Sequence, residues 1–139
     1  MKYKRFENKI FLRTDIGDDI GEQILKVADK EKITLASVSG IGAVDDFTVG
    51  IFNLEKGEYE TLQFKGSYEI TSLNGNISTM DKKPYVHLHI NCAGKDGKIV
   101  GGHLLKSQVS ITGEIFIDII DGEIERKHQE KPNFNRMEV

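Results

Sequence analysis

The sequence predicts an α+β fold, in which a mainly antiparallel β-sheet carries one principal amphipathic helix. Strong helical periodicity occurs in one stretch alone, DDIGEQILKVADKEK at residues 18–32. From Ile33 onward, the chain consists of short β-branched and aromatic runs that are separated by glycine-containing turns. Three such turns, Lys56-Gly57, Lys95-Asp96-Gly97 and Asp121-Gly122, are typical of consecutive hairpins. Consecutive hairpins favour an antiparallel sheet.

The helix is predicted from the spacing of its apolar residues, which are Ile20, Ile24, Leu25, Val27 and Ala28. Asp18 or Asp19 can cap its N-terminus, and Glu22, three residues after Asp19, resembles the second member of a capping box. The negative charge of Glu22 also suits the positive end of the helix dipole. The last turn is basic, as expected for the opposite end of that dipole.

The predicted strands are 35–44, 47–53, 59–64, 68–78, 85–93, 99–105 and 109–120, with a last short strand after Asp121-Gly122. Asn74-Gly75 is predicted to form a bend or a bulge. Because the chain has no internal repeat and no Pro/Gly/Ser linker, we interpret residues 1–139 as a single domain. Its polar tail, at about 125–139, is expected to be loosely ordered.

Composition narrows the classes of function. The chain has 139 residues and a net charge of -3, and its pI is near 5.8, which argues against a broad basic surface for duplex nucleic acid. No apolar run is long enough for a membrane-spanning helix, and the N-terminus does not resemble an export signal. The one cysteine, Cys92, cannot form an intramolecular disulfide. A reducing cytoplasm is the expected location.

The stretch YVHLHINCAGKDGKIVGGHLL, residues 85–105, holds three of the four histidines. In a strand over 85–93, side chains alternate, so His87, His89 and Asn91 share one face. The other face, which packs on the core, holds Val86, Leu88, Ile90 and Cys92. Cys92 is therefore interpreted as a packing residue, and a mixed Cys/His zinc site on this strand is disfavoured.

The third histidine, His103, follows the turn at 95–97, so a hairpin would return it toward His87 and His89. Gly101 and Gly102, just before it, suit a strand that must bend or approach another group closely. Three neutral imidazoles with an open fourth position form the ligand set of several zinc sites. The alternative is an ordinary polar strand face exposed to solvent, and spacing alone does not decide between the two.

Other candidate residues have weaker signals. Glu69 is either a solvated strand glutamate or a general base beside the histidines. Glu114 and Asp118 flank Phe116 and are interpreted as surface or subunit-contact groups, and His128, in a charged tail, as a solvated residue. The glycines of Gly40-Ile41-Gly42 lack the third glycine of a dinucleotide-binding loop and are interpreted as a strand bend beside a neighbouring subunit.

Four motifs together resemble the plant and prokaryote conserved (PPC) domain: GIGAV at 40–44, GSYEITSLNGNIS at 66–78, PYVHLHI at 84–90 and GGHLL at 101–105. The resemblance spans nearly the whole chain. It implies an α/β homotrimer with a mainly antiparallel sheet, and stand-alone microbial members are described as candidate DNA-binding proteins. It also implies a divalent metal, most simply zinc, bound by His87, His89 and His103.

The sequence departs from the plant members of this family in two places. Their Gly-Arg-Phe-Glu-Ile-Leu block, used in partner recognition, is replaced here by GSYEIT at 66–71, which lacks the arginine. The Arg-Gly-Arg-Pro core of an AT-hook is also absent. We therefore expect no tight, sequence-specific duplex DNA binding, because few groups remain to neutralise phosphates.

Two classes of function follow. The first is a metal-carrying homotrimeric binding or assembly module, with a protein or DNA partner and no membrane partner. The alternative is a small metal-dependent hydrolase or lyase, in which zinc activates water and Glu69 is the candidate base.

Overall fold

The computed structural model describes residues 1–139, which form eight strands and one helix. The bounds are β1 Lys2–Phe6, β2 Lys9–Thr14, α1 Ile20–Lys30, β3 Ala36–Asn53, β4 Glu58–Met80, β5 Lys83–Ala93, β6 Ile99–Ile119, β7 Arg126–Gln129 and β8 Phe134–Met137. Mainly antiparallel strands with one helix are the predicted fold class, and the structure confirms them.

The main sheet has six strands in the order β1-β2-β6-β3-β4-β5, and every pairing between them is antiparallel. β5 also pairs with β6, so strands β3 to β6 close on themselves. The first part of β6 pairs with β5 as far as His103, where the pairing with β3 begins, and its second part lies between β2 and β3. This closure brings the histidines of β5 and β6 side by side.

Three strands are longer than predicted. β3, β4 and β6 each join two of the predicted strands, because β-bulges absorb the expected breaks without ending the pairing. One bulge adjoins Gly42, where an added Cβ would lie 2.4 Å from the carbonyl oxygen of Thr112. Asn74-Gly75 was expected to bend or bulge, but Gly75 pairs in regular register with Leu88.

The sequence reasoning did not identify β1 and β2. In β2, Ile10 and Leu12 are fully buried and alternate with more exposed residues, which is the pattern of a half-buried strand. β2 pairs along the second half of β6, where Ile117 lies opposite Ile10.

The helix begins as predicted, at a cap formed by Asp19. One carboxylate oxygen of Asp19 accepts a hydrogen bond from the backbone N–H of Glu22 at 2.9 Å, and the other accepts from that of Ser107 at 2.7 Å. The Ser107 hydroxyl accepts from the backbone N–H of Ile20 at 3.0 Å, so the helix start is tied to β6. At 11 residues, this helix is too short to cross a bilayer.

The core is one apolar cluster between the helix and the sheet. Leu88, Ile90 and Cys92 of β5 belong to it, as their alternation predicts, and Cys92 is fully buried. Val86 is only partly buried and packs against the edge of this cluster. Burial raises the pKa of the Cys92 thiol to about 12, so the residue is an inert packing group.

The tail is ordered, contrary to expectation. β7 and β8 pair as a hairpin, and Thr79 of β4 forms a parallel bridge with Glu125 just before it. The physical reason is Arg126, which is 6% exposed and donates hydrogen bonds to Ser78 at 2.8 Å and to Asn76 at 2.8 Å. These long-range contacts order a polar segment whose only local signal was the Asp121-Gly122 turn before it.

Candidate metal centre and its adjoining cavity

Adjacent strands bring the three predicted histidines together. His87 and His89 lie two residues apart on β5, and His103 of β6 pairs directly with His89. The ring centroids are 5.2 Å apart for His87 and His89, 4.9 Å for His87 and His103, and 5.6 Å for His89 and His103. One ring nitrogen from each histidine lies within 4.8 Å of the others.

Glycines permit the close backbone approach around this cluster. A Cβ at Gly101 would lie 2.1 Å from the carbonyl oxygen of Ile90, and one at Gly75 would lie 2.0 Å from that of His87. A Cβ at Gly102 would lie 2.9 Å from the Ile51 side chain on β3. The close approach expected at Gly101 and Gly102 is therefore observed, and Gly75 adds a third such position.

The donor set fits a divalent metal ion. The Nε2 atom of His87 and the Nδ1 atom of His103 are buried and have no hydrogen-bond partner. A buried polar atom left unpaired costs about 1–3 kcal/mol, so the fold maintains an arrangement that a metal bond would satisfy. Zn–N bonds of about 2.0 Å place ligand nitrogens roughly 3.3 Å apart in a tetrahedron. Small side-chain movements from the observed spacing would reach that geometry.

Electrostatics keep two of these imidazoles neutral. Burial, and then the proximity of His103, Arg126 and His89, lowers the pKa of His87 to about 4. Burial also lowers the pKa of His103, with smaller contributions from His89 and Arg126. A neutral imidazole binds metal without first losing a proton. Both residues are therefore in the ligand form at neutral pH.

A cavity of about 220 Å³ opens beside His87 and His103. Tyr59 of β4 stacks on the ring of His103, with centroids 5.0 Å apart. The remaining wall comes from Tyr85 on β5 and from the tail hairpin, which contributes Arg126, His128, Asn133, Phe134 and Asn135. No aspartate or glutamate lines this cavity.

The hairpin wall is held by hydrogen bonds. Asn135 donates to the Tyr85 hydroxyl at 3.3 Å, and its side-chain oxygen lies 3.1 Å from Nδ1 of His128. Arg126 donates to the carbonyl oxygen of Asn135 at 2.8 Å, and its guanidinium lies 4.9 Å from the centre of the Tyr85 ring. His128, expected to be solvated, is exposed but also contributes to this wall.

Glu69 is not brought to the histidines. It is exposed and pairs with Ala93, four residues beyond His89 on β5, which is about 13 Å along a strand. Glu114 is exposed and Asp118 partly exposed, on the part of β6 that pairs with β2.

The residues that the sequence reasoning missed are those of the cavity wall. Tyr59 and Tyr85 were recognised as strand residues only, and Arg126 was assigned to a loose tail. The one available signal was the Asp121-Gly122 turn, which predicts a further strand but not what that strand contacts.

Comparison with known sequences identifies a family. Residues 1–121 match the Plants and Prokaryotes Conserved (PCC) domain. The matched region includes all three histidines and ends before the tail hairpin. The chain is also similar to AT-hook motif nuclear-localized protein 8 of Arabidopsis thaliana. The two sequences are 23% identical over 130 residues, a match that covers 90% of this chain and 33% of that protein. The chain thus spans about a third of the length of this curated relative.

Solved structures share the fold over nearly all of their length. A metal-containing protein of Archaeoglobus fulgidus is 36% identical, with a TM-score of 0.88 and 100% of each chain covered. A plant- and prokaryote-conserved protein of Pyrococcus horikoshii is 31% identical, with a TM-score of 0.86, covering 99% of this chain and 94% of that one. A Bacteroides thetaiotaomicron protein whose name proposes DNA binding is 28% identical, with a TM-score of 0.95, covering 99% and 96%.

Proposed function

Since the chain belongs to the Plants and Prokaryotes Conserved domain family, we propose that it is a metal-carrying homotrimeric binding and assembly module. One divalent ion, most simply zinc, is bound by His87, His89 and His103. The observation that carries this proposal is a cluster of three histidines, each with one ring nitrogen within 4.8 Å of the others, in which His87 and His103 each have a buried nitrogen without a hydrogen-bond partner. The metal-containing relative from Archaeoglobus fulgidus supports it.

The chain's own residues prepare the three imidazoles for such an ion in three ways. The β5–β6 pairing sets the spacing of the imidazoles, burial keeps two of them neutral, and Tyr59 restricts the movement of His103 by stacking on its ring. When bound, a divalent metal supplies Lewis acidity and an additional coordination position.

Elemental analysis of protein purified without a polyhistidine tag tests the metal site. We expect about one ion per chain in the wild type, and severe loss in His87→Ala, His89→Ala and His103→Ala. His128→Ala and Cys92→Ser should retain the metal, because neither side chain belongs to the proposed ligand set. Equal metal content in the wild type and the triple histidine variant would contradict the proposal.

The homotrimer is proposed from the resemblance and from exposed apolar side chains on the main sheet. They include Ile41, Ile111, Phe116, Leu62, Ile51 and Leu105, each 47% exposed or more. Large exposed apolar surfaces are typical of interaction sites. Light scattering coupled to size-exclusion chromatography should give three times the chain mass, and a clean monomer at micromolar concentration would contradict this.

The partner proposed for this module is a protein or DNA. With a net charge of -3 and no AT-hook core, the isolated chain should lack tight, sequence-specific duplex binding. Fluorescence anisotropy at about 150 mM salt, where specific DNA-binding proteins typically work, tests this. A nanomolar dissociation constant would instead support DNA as the partner.

The cavity beside the histidines favours a second candidate, a small metal-dependent hydrolase or lyase with Glu69 as base. A lined opening next to a metal centre is what an enzyme needs, whereas Glu69 lies on β4 opposite Ala93, at the end of β5 that is far from the histidines, which gives this candidate less support. A metal-bound structure would distinguish the two by showing whether the remaining coordination position opens into the lined cavity or is closed by protein.

A further inference from the structure

Arg126 is a buried cation without a counter-charge. It is 6% exposed, and none of the ion pairs in the structure includes it. Arginines that are buried in proteins are normally paired with an anion, because removing a charge from water is costly. Contact with the Tyr85 ring offsets only part of this cost.

The structural role of Arg126 explains some of its hydrogen bonds but leaves donors free. Its three bonds, to Ser78, Asn76 and the carbonyl of Asn135, fix the hairpin to β4. A guanidinium has five N–H donors, so two remain without a partner. These donors belong to a residue that lines the cavity.

The rest of the cavity adds no negative charge. Its other lining residues are aromatic, amide or imidazole side chains, and the proposed metal would add two further positive charges beside His87 and His103. A site with this much positive charge and no carboxylate of its own favours an anionic ligand. The planar guanidinium fork matches a carboxylate, and three hydrophobic residues of the wall suit a small organic body.

From these observations we propose that the cavity binds a small organic carboxylate, held by Arg126 beside His87 and His103. This inference rests on the proposed metal site, because the metal supplies part of the positive charge that attracts the carboxylate, and it names the class of ligand that binds there. The volume of about 220 Å³ is below the range of about 300–1,000 Å³ that is typical of pockets for drug-sized ligands, so the ligand is small. Because residues 122–139 lie outside the family match, the carboxylate site combines family histidines with a wall from the tail.

Isothermal titration calorimetry tests the proposal with propionate, its neutral isostere propionamide, and inorganic phosphate. The full chain is titrated both loaded with zinc and after treatment with a chelator. We expect saturable binding of propionate and none of propionamide. Binding of the two with equal affinity, or tighter binding of phosphate, would overturn the carboxylate assignment.

Three variants locate the site. Arg126→Gln should weaken propionate binding about tenfold or more, because it removes a charge-assisted bidentate contact. Arg126→Lys should fall between this variant and the wild type, since it keeps the charge but loses the fork. Arg136→Gln, on the exposed side of the same hairpin and paired with Glu138, should bind as the wild type does. Unchanged affinity in Arg126→Gln would overturn the proposal.

If Arg126→Gln does not fold, the wild type still decides. In NMR spectra, the Nη resonances of Arg126, which include its two free donors, should shift on adding propionate while those of Arg136 do not, and the absence of this difference would overturn the proposal. A wild type that takes up no zinc refutes the metal-carrying function alone. Propionate binding by the chelator-treated chain, with its dependence on Arg126, then remains the test of the carboxylate site.

Discussion

The two halves of β6 differ in what fills the space around them. From Val109 to Ile119, the strand alternates, and Val109, Ile115 and Ile117 are fully buried in the core. From Ile99 to Leu105, no residue is fully buried, and the strand contains Gly101, Gly102 and His103. The second half is paired with β2 and β3, whereas the first half pairs with β5 as far as His103 and with β3 only at His103 and Leu104, so the two halves also differ in backbone pairing.

The difference shows how one strand serves stability and binding in separate segments. The core half gains stability by removing apolar surface from water. The site half instead has close backbone contacts and a histidine nitrogen without a hydrogen-bond partner, which costs stability until a ligand satisfies it. We therefore expect substitutions in the core half to change the free energy of unfolding, and those in the site half to change binding.

The largest effect on stability is expected at Ile117 in the core half. Ile117→Ala should lower the free energy of unfolding by about 2–5 kcal/mol, because it leaves a cavity among fully buried neighbours. Chemical denaturation measures this. The metal content per folded chain should stay that of the wild type. As a control, Ile16→Ala, at a residue 75% exposed, should change stability by about 0.5 kcal/mol or less. Loss of metal in Ile117→Ala would show that the two halves are coupled.

Gly75→Ala should affect stability and binding together. Its Cβ would meet the carbonyl oxygen of His87 at 2.0 Å and the Cα of Leu88 at 2.9 Å, so β4 and β5 must separate. We expect a loss of about 1–3 kcal/mol and weaker zinc binding, since His87 moves with its backbone. Denaturation and competition with a chromophoric chelator measure the two effects.

Gly21→Ala is the matched control for that substitution. Its nearest contact is Asp19 at 3.4 Å, so the helix should accept the methyl group and gain up to about 1 kcal/mol. Gly75→Ala with the zinc affinity of the wild type would show that the β4–β5 spacing does not position His87.

Acid should destabilise the metal-free protein through His87. An unfolded histidine takes up a proton near pH 6.5, whereas folded His87 does so only at about pH 4. Between these values the unfolded state binds the extra proton, so this contribution to stability is complete above pH 6.5 and is lost as the pH falls toward 4. Carboxylates also titrate in the lower part of this pH window. To isolate the contribution of His87, the denaturation of the chelator-treated wild type is therefore compared with that of chelator-treated His87→Gln, which has the same carboxylates. The free energy of unfolding of the variant should depend less steeply on pH. Parallel profiles for the two proteins would contradict a lowered pKa for His87.

The smallest effect is expected at Glu69. Glu69→Gln should leave metal content unchanged and alter stability by about 0.5 kcal/mol or less, because the side chain is exposed and distant from the histidines. Hydrolysis of an activated ester by the zinc-loaded protein gives the functional comparison. If the wild type turns over the ester and the variant does not, Glu69 is a base and the hydrolase candidate gains support.

Local patterns in the sequence were sufficient for the helix and for the pairing of the histidines. The Asp19 cap and the 3.6-residue period fix α1, and alternation in β5 separates Cys92 from His87 and His89. The turn at 95–97 returns His103 to face His89. Each of these inferences depends on residues fewer than about twenty positions apart.

The rest depends on contacts between distant residues. The continuity of β3, β4 and β6 is decided by bulges that keep neighbouring strands paired, which no local turn signal reveals. The order of the tail depends on hydrogen bonds from Arg126 to Ser78 and Asn76, which are 48 and 50 positions away. A polar segment that is held by such distant hydrogen bonds can have the same composition as a disordered one, so composition alone did not predict the order of the tail.

The position of the tail hairpin has a practical consequence for anyone who purifies this protein. Asn135 lines the cavity, and Val139, four residues later, is fully exposed. A polyhistidine tag fused after Val139 would begin about 13 Å of extended chain from Asn135 and would offer the three histidines competing imidazoles at high local concentration. Affinity handles therefore belong at the other terminus, with a protease site for removal, because the Met1 amino group forms ion pairs with Asp15 and Asp18.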